Sequence, residues 1–506
     1  MLTATLFFII FLYVLFYIIR KTLWAIRAAK MTANLPGLKA WPIIGSALYF
    51  INMKTTEDMF KIQQILTKSY SKSKRRIAKF WLGPKLIIVL ANPKYVEIVL
   101  SSKDALEKDP LYDYIGLVAT GMLIKNGTKW HELRKPFNKI LNKNKLESSI
   151  TKISERAQNL CKLWRSKAEN EEMFDLRPDI GNYFADNVCD TVFGYNLNEL
   201  ENNKLNLVEC MESTLNIVFK MMVQVPYNLN YTYAKFSSAG RKLQKHSRVL
   251  VDQCLQILKE YREKKKNPED QDKELSKSYA ETVLEVGKRY NLNEENTARL
   301  AIDVFVAGFD TSSVTAACVL LMLAMFPEHQ EEVYQEQVKI VGEDPDIIPT
   351  MDQLNSMVYL NRIIKEVLRL YCPIGILRRL TEDIDLGEYK LPKGCTLYIM
   401  LYYLHRDRQY WSHPDQFYPD HFLDEAVANR PKGAYLPFSW GPRACPGKAY
   451  GLMTNKILIS TIIRNFKFET DLKFNELSYK YALQTEVSQG YHCRIKRRNK
   501  LTQNAL

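Results

Sequence analysis

The chain lacks the patterns that would build a disulfide framework or a zinc site. Its nine cysteines, at 161, 189, 210, 254, 318, 372, 395, 445 and 493, are odd in number, scattered and never spaced as C-x-x-C, so reduced thiols in a cytosolic setting are expected. Internal repeats and low-complexity segments are missing as well. The net charge of +15 comes without a nucleic-acid-binding motif, the basic residues being spread through helical and loop segments. A basic face toward an acidic protein partner or anionic lipid accounts for that excess, and no nucleic-acid partner is expected. What the chain has in quantity is hydrophobic material, 46% against 25% charged residues, enough for a sizeable core.

Two long apolar runs stand out. Residues 2–19 carry no charge and are followed at once by Arg20 and Lys21, with Arg27 and Lys30 close behind. As a helix this run spans about 27 Å, close to the hydrocarbon thickness of the endoplasmic reticulum bilayer. There is no basic region before it and no convincing cleavage site before Arg20, so a retained transmembrane anchor is expected rather than a secretory signal. The positive flank should stay cytosolic and place the rest of the chain there. The expected organisation is an anchor over 1–21, a basic and proline-bearing hinge over 22–45, where Pro36 and Pro42 stop the helix, and a catalytic domain over 46–506. The second run lies in a predicted helix over 294–326. Arg299, Asp303 and Asp310 make it expensive as a membrane span, so it is read as the buried central helix of a large domain, capped by Asn293 and ended by Pro327.

Elsewhere helical periodicity dominates. Residues 80–90 look like two strands around Gly83-Pro84, 390–401 hold further strand-like material, and 262–277 read as a solvated connector. The fold class is mainly α with a smaller β-rich region, preceded by one transmembrane helix.

The most informative segment is Phe438-Ser-Trp-Gly441-Pro-Arg443-Ala-Cys445-Pro-Gly447, which fills every fixed position of F-x-x-G-x-R-x-C-x-G. Gly441 and Gly447 allow the backbone to turn tightly around a sulfur, Phe438 can shield one side, and Arg443 brings a permanent charge. Glu366-Val-Leu-Arg369 and Ala307-Gly308-Phe309-Asp310-Thr311-Ser312 precede it in the chain. In pattern and order these segments resemble the cytochrome P450 family, and the resemblance covers the whole chain. It implies a single large domain of that fold and a non-covalent haem b with Cys445 as the axial thiolate, a ligand that favours O–O cleavage.

Other residues take their roles from the same resemblance. Asp310 and Thr311 match an acid–alcohol pair that relays protons during oxygen activation, and Gly308 would leave room for oxygen or substrate beside the helix. Glu366 and Arg369 match a pair buried behind the haem and tied to an arginine from a later loop; here that loop carries His421. Trp130 and Arg134 match W-x-x-x-R, whose indole and guanidinium reach a haem carboxylate. Arg379 and Arg443 are further carboxylate partners, with Arg378 able to exchange roles with Arg379.

Segments around Tyr359, Phe305 and Tyr450 look like the animal fatty-acid hydroxylase branch, family 4-like and insect-like. Many members of that branch carry, in place of Ala307, a glutamate that becomes esterified to haem. The distal pocket is expected from 112–125, 218–229, 302–311, 374–377 and Thr485–Val487. The implied activity is a microsomal monooxygenase that inserts one atom of O2 into a lipophilic substrate. Its electrons would come from NADPH through NADPH-cytochrome P450 reductase, with cytochrome b5 as a second donor. A haem-thiolate isomerase or dehydratase and a degenerate haem-binding protein, the latter suggested by His421 and Trp440, are the alternatives. Two glycosylation sequons, at Asn126 and Asn230, should stay bare on a cytosolic domain.

Overall fold

The computed structural model describes residues 2–498 apart from 54, 72–74, 203, 224–230 and 267–277. Helices make up most of it. The central one, Glu294–Met325, starts where the Asn293 side chain accepts the Asn296 N–H and where Glu294 and Glu295 complement the helix N-terminus. It ends before Pro327, which opens the next helix. Most of its residues are buried, and 83% of its most apolar window lies inside the protein, so this hydrophobic run is core. It packs on the helix Arg177–Val188 closely enough that a Cβ on Gly308 would meet Val188 Cγ2 at 2.7 Å. The small residue at 308 therefore serves helix–helix approach as well as opening the wall of a cavity.

The β-rich part is a four-stranded sheet in the order Ile77–Leu82, Lys85–Leu90, Thr396–Ile399, Ile376–Arg379. The first pair is the hairpin expected around Gly83, which turns with φ +55°. The second contact is parallel and the third antiparallel. Of the expected connector, 262–266 close the helix Arg248–Lys266, and 267–277 lie outside the described residues.

The N-terminal helix runs from Leu2 to Met31 and is long and apolar enough from Thr5 onward to cross a membrane. It corrects the expected hinge. Residues 22–31 continue the helix and dock its end on the domain: Trp24 meets Trp81 edge-on with ring centroids 6.2 Å apart, its indole N–H donates to the Lys393 carbonyl at 2.7 Å, and Ala28 is fully buried. Arg27 pairs with Asp383. Indole and aliphatic stem burial here outweighs the solvation of the basic side chains, which reach water from the helix edge.

Candidate active site

One cavity of about 330 Å³ brings the two most chemically suggestive segments of the chain face to face, with Cys445 in one wall and Thr311 in the other. The cysteine wall is a loop wound tightly enough to need special backbone. Ser439 has φ +62° and Gly441 +74°, and a Cβ on Gly441 would lie 2.1 Å from the Leu100 carbonyl oxygen. Only glycine fits there. The Cys445 N–H donates to the Phe438 carbonyl at 2.8 Å and closes the loop, which leads directly into the helix Lys448–Asn465.

Cys445 is accessible at the cavity wall and enclosed by protein elsewhere. Burial pushes its thiol up, while the Gly447 N–H, the Arg134 guanidinium and the Lys448 N–H pull the other way. Favouring the thiolate there takes a positive centre at the sulfur. No group of three or more His, Cys, Asp or Glu suited to a metal ion occurs among the described residues. A metal held by Cys445 must therefore bring its other ligands with it, as a metalloporphyrin does.

The rest of the wall fits such a group. Lys108, Arg134, Arg378 and Arg443 all line the cavity, and none of them forms an ion pair with a carboxylate among the described residues. Burial pushes the Lys108 ammonium well down, with Arg378 and Arg443 adding to the effect. Burial likewise brings Arg443 down to about 9, reinforced by Arg378 and Arg134. Arg134 Nε is buried with no partner. A cluster of like charges this enclosed calls for an anionic occupant, and the two carboxylates of haem meet that need. Trp130 lies beside them, with the Arg443 guanidinium 4.0 Å over its ring. Arg443 also donates to the carbonyls of Leu106 and Lys125 at 3.0 and 2.7 Å and to Asn126 Oδ1 at 2.9 Å. Asn126 is thereby half-buried and engaged, so its sequon is occluded for a structural reason. Asn230 lies outside the described residues.

Arg379 is a correction. It is exposed and absent from the cavity wall, whereas Arg378 is 2% exposed and lines it. Strand Ile376–Arg379 alternates faces, so Ile376 and Arg378 look inward together and Arg379 looks out. Lys108 was missed by sequence reasoning because its neighbours in space come from three distant segments.

On the opposite wall, Thr311 Oγ donates to the Ala307 carbonyl at 2.7 Å. The Thr311 carbonyl in turn accepts from Thr315 Oγ at 2.8 Å and from Gln484 Nε2 at 3.1 Å. Asp310 does not line the cavity. It turns toward Arg177, whose guanidinium donates to its Oδ1 at 2.5 Å. Burial raises its carboxyl above the usual range even though Arg177 opposes that. Of the expected distal segments, 112–125 contribute Met122 and Leu123, 302–311 contribute Asp303, Val304, Ala307, Gly308 and Thr311, and 374–377 contribute Ile376. Thr485–Val487 stand back and Gln484 takes their place. Residues 218–222 also stand back, and the side chain of residue 223 and all of 224–229 lie outside what is described.

Glu366, Arg369 and His421 come together in one buried cluster. The Glu366 carboxylate takes Arg369 Nε and Nη2 at 2.9 and 2.6 Å, the Tyr418 N–H at 2.9 Å and His421 Nδ1 at 3.2 Å. Burial works against its ionisation, but Arg369 and His421 hold it below the usual carboxylate range. His421 Nε2 accepts the His413 N–H at 3.2 Å, which places the ring proton on Nδ1 and makes the histidine a neutral donor; burial lowers its pKa further in that direction. Arg430, which carried no signal in the sequence, supplies a nearby cation. It donates to the His421 carbonyl at 2.5 Å and stacks 3.7 Å over Trp411.

A sequence model described as cytochrome P450 matches residues 35–486. Cytochrome P450 4c21 of Blattella germanica is 28% identical over 90% of this chain and 91% of its own length. Human cytochrome P450 4V2 is 28% identical over 91% and 89%, and Drosophila melanogaster cytochrome P450 4c3 is 28% identical over 88% and 85%. With the thiolate loop, the cation cluster and a family match over most of its length, the chain belongs to the cytochrome P450 family.

Proposed function

We propose that the protein is a membrane-anchored monooxygenase that oxidises a lipophilic substrate, taking electrons from NADPH through a flavoprotein reductase on the cytosolic face of the endoplasmic reticulum. The observation that carries this reading is that Cys445, Thr311 and a cluster of cations all line one cavity. Cys445 would hold haem iron, while Trp130, Arg134, Arg378, Arg443 and Lys108 would hold its carboxylates. Haem, when bound, supplies the activation of O2 that a thiolate-ligated iron performs.

The chain's own part is to bind, exclude water and move protons. The cavity wall is chiefly apolar, which keeps water from the reacting end. The Thr311 hydroxyl rests on the Ala307 carbonyl and must swing from it to hand a proton inward. Asp310 stays anchored to Arg177 as the acid behind it. The Leu2–Met31 helix would supply the membrane anchor, and its basic flank at Arg20 and Lys21 favours a cytosolic domain. Cytochrome b5 would serve as a second electron donor on the same face.

The test is the absorption spectrum of the reduced, CO-bound protein followed by NADPH consumption with reductase. A thiolate-type red-shifted band that Cys445→Ala abolishes, together with reductase-dependent turnover, is expected. Survival of that band in Cys445→Ala would remove the ligand assignment. Turnover of hydroperoxides with no need for reductase would favour an isomerase or dehydratase instead.

A further inference from the structure

The short helix Leu401–Leu404 contributes to two cavities. Leu401 lines the one that holds Cys445. Tyr402 lines a second, of about 310 Å³, together with Phe60 and Gln63 of the helix Asp58–Ser71 and with Arg406, Arg408 and Asp415 farther along the chain. The lining of this second cavity leaves two demands unmet.

One is charge. Arg406 and Arg408 are permanent cations, and neither forms an ion pair among the described residues; Asp407, between them, is taken by Arg76. Arg406 is held in place, its Nη2 donating to the Leu370 carbonyl at 2.6 Å and its guanidinium stacked 3.8 Å over the Tyr402 ring. Asp415 is the single acid in the lining, and it is exposed and pairs with neither arginine. The cavity is therefore left with more positive than negative charge. The other demand is an amide. Gln63 is 1% exposed, its Nε2 donates to the Tyr398 hydroxyl, and its Oε1 is buried without a partner. Exchanging the two amide atoms would turn the orphan acceptor into an orphan donor, and either is unfavourable if left alone. Water could satisfy the amide, but it would leave the half-buried Arg406 guanidinium without a counter-charge.

We propose that this cavity binds a phosphorylated polyol, with its phosphate on Arg406 and Arg408 and one of its hydroxyls on Gln63. A phosphate offers three terminal oxygens to two guanidinium groups, and a hydroxyl both donates and accepts, so it meets Gln63 in either amide orientation. The Phe60 and Tyr402 rings, edge-on with centroids 5.3 Å apart, give the carbon skeleton an aromatic surface to rest on. A lipid headgroup and a free sugar or polyol phosphate share this chemistry. The site is separate from the haem cavity and does not depend on the reaction proposed above.

The test is isothermal titration calorimetry on the full haem-loaded chain with myo-inositol 1-phosphate, inorganic phosphate and myo-inositol, all at one ionic strength. Saturable binding of the phosphate ester is expected, with inorganic phosphate about tenfold weaker or more and the neutral polyol without a response. Arg408→Ala should weaken the ester by about tenfold or more, and Asp415→Asn, which removes the opposing charge from the same cavity, should tighten it several-fold. Both residues are exposed and unpaired, so both variants should unfold at the wild-type temperature without ligand. Gln63→Leu should erase the advantage of the ester over inorganic phosphate. Absence of saturable binding, unchanged affinity in Arg408→Ala, or weaker binding in Asp415→Asn would each overturn the proposal. In bilayer discs, displacement of the soluble ester by phosphatidylinositol but not by an equal charge of phosphatidylserine would identify a lipid headgroup as the ligand, and binding unchanged by either lipid would identify a free ester.

Discussion

Arg177 and Asp310 form an ion pair inside the protein, Nη2 to Oδ1 at 2.5 Å, with side-chain exposures of 2% and 1%. Arg177 Nη1 also donates to Ser313 Oγ at 2.6 Å, and Asp310 Oδ2 is buried without a partner. The pair pins the central helix to the helix Arg177–Val188 just outside the cavity. Such pairs cost little to replace together and much to break singly. Arg177→Met should therefore destabilise the protein by roughly 3–5 kcal/mol, and adding Asp310→Asn should return most of that. Denaturant unfolding followed by haem absorbance measures both. A loss below about 1 kcal/mol in the single variant would mean that water already reaches the pair.

Much of this arrangement is legible in the sequence, and the remainder is not for identifiable reasons. Asn293 and Pro327 bracket the central helix because capping and proline geometry act locally. The Cys445 loop is recognisable because its glycines and arginine must sit at set spacings. Arg177, Lys108, Arg430 and Gln484 are invisible in the same way that any lone polar residue is. Each acquires its role from partners that lie in distant segments. The exchange of Arg379 for Arg378 is a one-residue error in strand phase, which inverts the face of a side chain. The docking of Trp24 was hidden because a basic flank after an apolar run reads as a boundary, and tertiary packing overrode it.

Strand phase makes the second prediction. Arg378 faces the cavity and Arg379 faces out, so Arg378→Ala should lower haem retention on gel filtration and weaken the CO spectrum, while Arg379→Ala should leave both near wild type. Arg378 forms no ion pair among the described residues, which means that its removal relieves repulsion in the haem-free protein. Haem-free Arg378→Ala should accordingly be no less stable than wild type. The reverse ranking of the two variants in haem retention would restore the original assignment.

The third concerns pH. Glu486, 1% exposed, contacts Lys480 at 3.6 Å, which also reaches Glu212 at 3.7 Å. Burial pushes Glu486 from 4.5 up to about 7, with Asp310 adding to the rise and Arg177 and Lys480 opposing it. Between those two pH values the folded protein binds more protons at this site than the unfolded chain does. Stability therefore falls as pH rises through that window, and the penalty is complete above it. Glu486→Gln should be more stable relative to wild type at pH about 8 than at pH about 4.5, where wild-type Glu486 stays protonated when folded. A difference between variant and wild type that does not change with pH would show that Glu486 keeps its ordinary affinity for protons.

The last prediction concerns the partner surface. Lys448 is exposed at the start of the helix that follows Cys445, its ammonium 5.9 Å from the Phe438 ring centroid, and Lys135 is exposed on the helix Gly127–Ile140 that carries Trp130 and Arg134. Lys448 lies three residues after Cys445, and Lys135 follows Arg134, whose Nη2 donates to the Ala444 carbonyl at 2.6 Å, so both are close in sequence to groups of the Cys445 loop. Trp440 of the same loop is 40% exposed, with its indole N–H donated to Ser101 Oγ at 3.1 Å. Exposed charges act chiefly on encounter and are screened beyond about 8 Å at physiological ionic strength. Lys448→Glu and Lys135→Glu should slow reductase-supported turnover several-fold at low salt and progressively less as salt rises, because screening weakens the repulsion. Turnover driven by added peroxide needs no docked donor and should change little. Equal loss in both assays would mean that these lysines hold the haem loop in place. Retention of reductase-supported turnover would mean that the donor approaches another face.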